Sequence, residues 1–96
     1  MKSLALLLAT VGALAAGIAY SQSGSEVLKA KGCMNCHDND KKKVGPAYKD
    51  VAAKYKDDKK AEGMLVDKIK VGKGHPKVAA SDAELKAAVQ QVLSTK

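Results

Sequence analysis

Two cysteines and a histidine lie within five consecutive residues, Cys33-Met34-Asn35-Cys36-His37. Two thiols at this spacing can add to the two vinyl groups on one edge of a haem. The histidine that follows is then held below the ring, where its imidazole can bind the iron. This pentapeptide is the signature of c-type haem attachment. It predicts one covalently attached haem c on Cys33 and Cys36, with His37 as an iron ligand.

Two other chemistries use the same residue types. A thiol–disulfide exchange pair of the thioredoxin kind is expected beside a βαβ unit, whereas this chain shows only helical patterns. A structural zinc site needs four ligands, but the sequence has no second pair of cysteines, so that His75 and carboxylates are the remaining donors. Haem attachment is therefore the favoured interpretation, and its alternatives are the exchange pair, the zinc site and a chance occurrence of the pentapeptide in a protein without cofactor.

The N-terminus predicts export. Lys2 gives a short positive start, residues 4–18 carry no charge, and Ala19-Tyr20-Ser21 places small residues where a signal peptidase cleaves. The alternative is an uncleaved membrane anchor, but the apolar run is shorter than the ~20 residues needed to cross a bilayer. We therefore predict a cleaved signal peptide over residues 1–21, one domain over residues 22–96, and a soluble periplasmic protein without stable membrane insertion.

The size of the domain gives a second argument for a cofactor. A mature chain of roughly 75 residues is near the limit at which side chains alone form a stable core. It contains Tyr48 and Tyr55 but neither Phe nor Trp. A disulfide between cysteines three residues apart would close too short a loop to restrict the unfolded chain much. The apolar face of a haem would supply the missing buried surface.

The elements that position the motif are predicted to be helices. Apolar residues recur at three- and four-residue steps, and no segment alternates with the period of a strand. The helices are expected near residues 26–31, 46–55, 61–70 and 82–94. Ser25 is the expected cap of the first helix, which ends at Gly32, and Pro46 is expected in the first turn of the second. Residues 81–84 (Ser-Asp-Ala-Glu) predict a capping box for the last helix.

Residues 26–93 resemble the short class I bacterial cytochromes c, which shuttle electrons in the periplasm. The resemblance is carried by residues 31–37, 44–55 and 68–70 and by Ser81-Asp82. It implies an all-α fold of about four short helices wrapped around one covalent haem, with the first and last helices crossing. It also implies that the Pro46 carbonyl accepts a hydrogen bond from His37. The expected function is that of a monomer that carries single electrons between redox partners and is not an enzyme.

The chain departs from this family at the second haem ligand, which in the family is a methionine followed by proline before the last helix. No methionine lies in that segment here. Gly74-His75-Pro76 occupies it, and His75 falls at the methionine's position, six residues before Ser81. We expect His75 to be the distal ligand. A vacant or water-bound site, Met64 or a lysine are the alternatives. A labile site would suit a haem-based small-ligand binder or sensor instead of a carrier.

The basic residues of the chain are all lysines: 17 of them stand against 10 acids, for a net charge of +7. The absence of arginine argues against nucleic-acid binding, where bidentate guanidinium contacts are the usual tool. A lysine-rich surface is either simply solvated or steers an acidic partner, and we predict docking to acidic-surfaced redox proteins. The lysines near the motif or the distal segment are Lys29, Lys31, Lys41, Lys42, Lys43, Lys73 and Lys77.

Overall fold

The computed structural model describes residues 23–96, and this part of the chain contains no strand. Its helices, in chain order, are α1 (Gly24–Ala30), α2 (Tyr48–Lys54), α3 (Ala61–Val71) and α4 (Asp82–Leu93), with a short 3₁₀ turn over Cys33–Asn35 between α1 and α2. The predicted all-α architecture of about four short helices is confirmed. The predicted signal peptide, residues 1–21, lies outside the described residues.

The start of α1 differs from the prediction. Ser23, not Ser25, is the cap: its hydroxyl accepts a hydrogen bond from the N–H of Glu26 at 3.3 Å, and the helix already begins at Gly24. Both serines satisfy the local rule for a helix cap, so packing against α4 decides between them. Gly24 lies against the Ala87 carbonyl of α4, where a β-carbon would overlap it.

The start of α2 also differs, because Pro46 lies outside the helix. Ala47 is the cap, with extended backbone, and Tyr48 is the first helical residue. The N–H of Tyr48 donates to the carbonyl of Asp38 at 2.9 Å, which is a partner in the preceding loop. Pro46 is therefore kept out of the helix because its own carbonyl is turned toward His37.

The predicted capping box of α4 is confirmed. The Ser81 hydroxyl accepts from the N–H of Glu84 at 3.1 Å, and the Glu84 carboxylate accepts from the N–H of Ser81 at 2.9 Å. The ammonium of Lys31, just after α1, lies 3.8 Å from the same carboxylate. The last turn before the attachment motif is thus tied to the beginning of the last helix.

The core is small and is organised around α4, which packs against α1, α2 and α3. Its buried apolar side chains are those of Val27, Leu28, Ala47, Tyr48, Ala52, Ala61, Leu85, Ala88 and Val89. Cys33 and Met34 pack against this cluster, so the attachment motif is joined to the core. Among residues 23–96 no helix is long and apolar enough to cross a membrane.

Candidate cofactor site

The thiols and the imidazole of the motif are presented by one tight turn. Gly32 ends α1 in the left-handed region, with φ 71°, and the 3₁₀ turn follows at once. The N–H groups of Cys36 and His37 both donate to the carbonyl of Cys33, at 3.2 and 3.1 Å. These hydrogen bonds hold both half-buried cysteines and His37 at the edge of one cavity.

The imidazole of His37 is fixed in one orientation. Its Nδ1 lies 2.7 Å from the Pro46 carbonyl oxygen, which can only accept, so Nδ1 carries the proton. In the neutral ring Nε2 is then the nitrogen with a free lone pair, as metal binding requires. The Tyr48 ring lies 4.9 Å from the His37 ring, centre to centre, and packs against it at an angle of 21°. Burial raises the pKa of the Tyr48 phenol, so this neighbour remains uncharged.

Gly45 is required by the close approach of the backbone to this ring. A β-carbon at Gly45 would overlap the His37 imidazole. The N–H of Gly45 also donates to the Cys36 carbonyl at 2.7 Å, which draws the two segments together. Gly45 and Pro46 therefore position the His37 imidazole.

The second histidine comes from the segment after α3, residues 72–76. Gly72 and Gly74 both have left-handed backbone, with φ 75° and 71°, a conformation that side chains rarely adopt. The Nδ1 atom of His75 lies 2.7 Å from the Pro76 carbonyl oxygen. His75 thus has the same tautomer as His37, with the lone pair on Nε2.

The fold brings the two imidazoles together. Their ring centres are 6.2 Å apart and the ring planes are within 9° of parallel. This separation is close to what two imidazoles need when they bind one metal ion from opposite sides. Each metal–nitrogen bond is then about 2.0 Å, and each ring centre lies roughly another ångström behind its nitrogen. The spacing of His37 and His75 fits a single iron ion.

Both histidines line two adjoining cavities, of about 340 and 480 Å³. The residues common to both cavities are His37, Pro46, Ile69, Gly74, His75, Val89 and Val92. Tyr55 and Leu65 line the first cavity, whereas Cys33, Cys36 and Leu85 line the second. The walls are mostly apolar, both cysteines line the second cavity, and both histidines line the two cavities. These residues fit a haem attached to the two cysteines.

The comparisons with known proteins agree with this geometry. The family model for cytochrome c matches residues 21–96. The chain belongs to the cytochrome c family. Cytochrome c-552 of Hydrogenobacter thermophilus is 45% identical over 98 aligned residues, which cover 95% of this chain and 96% of that protein. Cytochrome c-551 of Pseudomonas aeruginosa is 42% identical over 104 aligned residues, which cover both chains completely.

Solved structures show the same fold. The crystal structure of Nitrosomonas europaea cytochrome c552 superimposes on this cytochrome with a TM-score of 0.66 and 37% identity, covering 75% of this chain and 99% of that one. The class 1 cytochrome MtoD from Sideroxydans lithotrophicus gives a TM-score of 0.65 at 29% identity. The predicted class I cytochrome c fold is confirmed.

Family membership settles the cofactor and the broad function. The cytochrome carries one covalently attached haem c, with iron, as predicted, and it belongs among small electron-transfer cytochromes. The small-ligand binder or sensor is not favoured by these relatives.

Two features of the structure also argue against a thiol–disulfide exchange pair and against a zinc site. Burial raises the pKa of the Cys33 thiol, whereas exchange-active cysteines have a lowered pKa. Within residues 23–96 no three His, Cys, Asp or Glu side chains converge to hold a metal ion, as zinc would need.

Three contacts of the site were not predicted from the sequence. Gly45 and Tyr48 confine the His37 ring, and the sequence alone does not predict either contact. The Lys43 ammonium donates to the Met34 carbonyl at 3.1 Å and holds the charged loop against the attachment turn. A lysine run has no local feature that singles out one ammonium for such a contact.

Proposed function

We propose that this cytochrome carries single electrons between redox partners in the periplasm. In the proposal Cys33 and Cys36 attach the haem and His37 is the proximal iron ligand. Residues 1–21 are removed on export, and the mature monomer is a carrier with no catalytic activity of its own. The observation that carries the proposal is the turn that holds both thiols and the Nε2 lone pair of His37 at the edge of one apolar cavity.

The protein's own residues set the conditions for the cofactor. Haem iron supplies the one-electron couple. The hydrogen bond from His37 to the Pro46 carbonyl fixes the ring and raises the basicity of its free nitrogen. Gly45 and Tyr48 prevent the ring from turning. Apolar side chains, which include Leu85 and Val89, line the cavity and would limit the contact of a bound haem with water.

We further propose that the partners have acidic surfaces near the attachment turn. Lys41 and Lys42 are exposed and unshielded by packing, and the neighbouring Lys43 is anchored on the Met34 carbonyl. Lys31 and Lys77 line the second cavity beside the cysteines. Point charges on flexible stems increase the rate of encounter with an oppositely charged surface more than they increase affinity.

Covalent attachment is the first test. The full chain is expressed in a bacterium that carries haem-attachment machinery, and haem staining after denaturing electrophoresis reports the covalent bond. Wild type and the control Asn35→Ala, in the same turn, should retain haem. The double variant Cys33→Ala/Cys36→Ala should lose it. A wild-type protein that is exported and folded but colourless, or a double variant that keeps its haem after denaturation, would contradict the proposal.

Export and electron count are measured on the same sample. Mass spectrometry of the periplasmic protein should give a chain that begins near residue 22 and carries one haem. A reductive titration should consume one electron per protein. An uncleaved chain in the cytoplasmic fraction would contradict the export proposal while leaving haem attachment intact.

A further inference from the structure

We propose that His75 is the second axial ligand of the haem iron, so that this cytochrome has a bis-histidine haem with nearly parallel imidazoles. The inference rests on the proposed attachment of haem by Cys33, Cys36 and His37. It concerns the opposite side of the iron, and its support is independent of the attachment motif.

The first support is the geometry of the two rings. The ring centres of His37 and His75 are 6.2 Å apart with planes within 9° of parallel, a spacing that matches two imidazoles binding one metal ion from opposite sides. Both Nδ1 atoms donate to proline carbonyl oxygens at 2.7 Å, so both Nε2 lone pairs are available. Two separate loops therefore hold His37 and His75 in the same tautomer, with the proton on Nδ1.

The second support is the anchoring of the segment that carries His75. The N–H groups of Gly72 and Lys73 both donate to the Lys68 carbonyl at the end of α3, at 3.0 and 3.1 Å. Beyond the histidine, the N–H of Val78 donates to the Ile69 carbonyl at 3.4 Å. The segment is pinned to the last turn of α3 on both sides of His75. A short loop pinned in this way delivers its side chain to a fixed place, and little conformational entropy remains to be lost on binding.

The third support is the position of Met34 and Met64, the two methionines within residues 23–96, because a thioether is the other side-chain group that commonly binds haem iron opposite a histidine. Met64 is 45% exposed on α3 and lines neither of the two cavities. Met34 packs against the core cluster of α1 and α4, within the attachment turn itself. His75 lines both cavities. Of His75 and the two methionines, His75 is therefore the side chain that the fold places at both cavities.

Two properties follow for the loaded protein. A second imidazole is a better donor to ferric iron than a thioether, so the potential should lie below that of methionine-ligated cytochromes of this size. Its Nδ1–H bond to the Pro76 carbonyl strengthens that donation further. When the two imidazole planes are parallel, both rings interact with the same iron d orbital, so the energies of the two π-bonding d orbitals differ. The ferric protein should therefore give a rhombic low-spin electron paramagnetic resonance signal rather than the strongly axial signal of perpendicular planes.

The wild-type protein tests the ligand without any substitution. We expect the rhombic low-spin signal and no near-infrared charge-transfer band of the kind that a ferric iron–methionine bond produces. Carbon monoxide should bind the reduced protein slowly, because a firmly held ligand must leave first. A methionine-type band, or a high-spin ferric signal at neutral pH, would overturn the inference.

Variants identify the residue. His75→Ala should lose the low-spin signal, bind carbon monoxide rapidly, and regain the low-spin signal on addition of free imidazole. The controls Met64→Leu and Lys73→Ala should keep the wild-type spectra, and circular dichroism checks that all three variants fold. A folded His75→Ala protein with wild-type spectra, or a Met64→Leu protein that becomes high-spin, would overturn the inference. In either case haem would still be covalently bound, which separates this failure from failure of the proposed function.

Discussion

The backbone of Gly45 lies so close to the imidazole of His37 that a β-carbon at this position would overlap the ring. The ring is held from a second direction by the Pro46 carbonyl and from a third by the Tyr48 ring. Gly45, Pro46 and Tyr48, which belong to one short segment, therefore define the orientation of the His37 ring, which lies in another segment. This contact is sensitive to the smallest possible change, the addition of one methyl group.

Gly45→Ala should lower the free energy of unfolding of the haem-loaded protein by about 1–3 kcal/mol, the usual cost of forcing an extra carbon into a packed site. The backbone must move away from His37, which also strains the hydrogen bond to Pro46. Denaturant unfolding followed by circular dichroism measures the change. The matched control is Gly63→Ala, at an open position within α3. There alanine should stabilise the protein by about 0.5–1 kcal/mol. A similar result for the two substitutions would show that no steric contact exists at Gly45.

The elements that were predicted well are those whose signals are local. The capping box of Ser81 and Glu84 satisfies its own hydrogen bonds within four residues, so the sequence pattern alone located the start of α4. The choice of Ser23 over Ser25 depends on how Gly24 meets α4, and the exclusion of Pro46 from α2 depends on His37. Long-range contacts of this kind leave no periodic mark in the sequence.

The same distinction applies to the site. Residues 33–37 form a contiguous motif, so the sequence alone predicts haem attachment there. His75 was expected opposite His37 only because of where its segment falls relative to Ser81. Its tautomer, its anchoring and its distance from His37 come from the fold. The role of Lys43 as an anchor on Met34 had no local signal at all.

Leu85 tests the part of the core that supports both α4 and the cavity. It is 3% exposed and lines the second cavity. Leu85→Ala should lower the free energy of unfolding by about 2–5 kcal/mol, because the truncation leaves a cavity that the surroundings fill only partly. The control Val71→Ala removes an apolar side chain that is 64% exposed, and its effect should stay within about 0.5 kcal/mol. Equal losses for the two variants would mean that the described core does not support the fold. Thermal unfolding of both proteins in the haem-loaded state provides the comparison.

Glu84 predicts a pH dependence of stability. The pKa of its carboxyl is lowered, first by the N–H of Ser81, which donates to it, and also by the Ser81 side chain and the charge of Lys31. A lowered pKa in the folded state means that the folded protein binds this proton less readily than the unfolded chain. The stabilisation is therefore fully present above the ordinary value of 4.5 and is lost as the pH falls through the lower folded pKa.

Glu84→Gln should remove this acid-dependent term, so the variant's unfolding free energy should fall less steeply below pH 4.5 than that of wild type. Glutamine can still complete a capping box, so the loss at neutral pH should be small. Glu26→Gln is the control, since it removes one exposed negative charge from the first turn of α1. Denaturant unfolding at a series of acid pH values measures the slopes. Equal slopes for wild type and Glu84→Gln would show that the Ser81–Glu84 pairing does not hold in solution.

Ser81→Ala removes the other half of the capping box and should lower the free energy of unfolding by about 1 kcal/mol at neutral pH.

The lysine surface is tested with oxidants of opposite charge, which replace an unknown partner by defined chemistry. Lys41 and Lys42 are exposed beside Lys43, and Lys43 holds this loop against the attachment turn through the Met34 carbonyl.

The double variant Lys41→Glu/Lys42→Glu should slow oxidation of the reduced protein by hexacyanoferrate(III), an anion, and should accelerate oxidation by a cationic cobalt(III) complex. Both effects should shrink with added salt, since a Debye length of about 10 Å at 0.1 M screens exposed charges. Lys56→Glu/Lys59→Glu makes the same charge change on exposed residues between α2 and α3 that line neither of the two cavities at the histidines. If electrons leave near the attachment turn, the first pair must change the stopped-flow rates more than the second. Equal effects from the two pairs would show that only the net charge of the protein matters, and the lysines near the motif would then be an ordinary solvated surface.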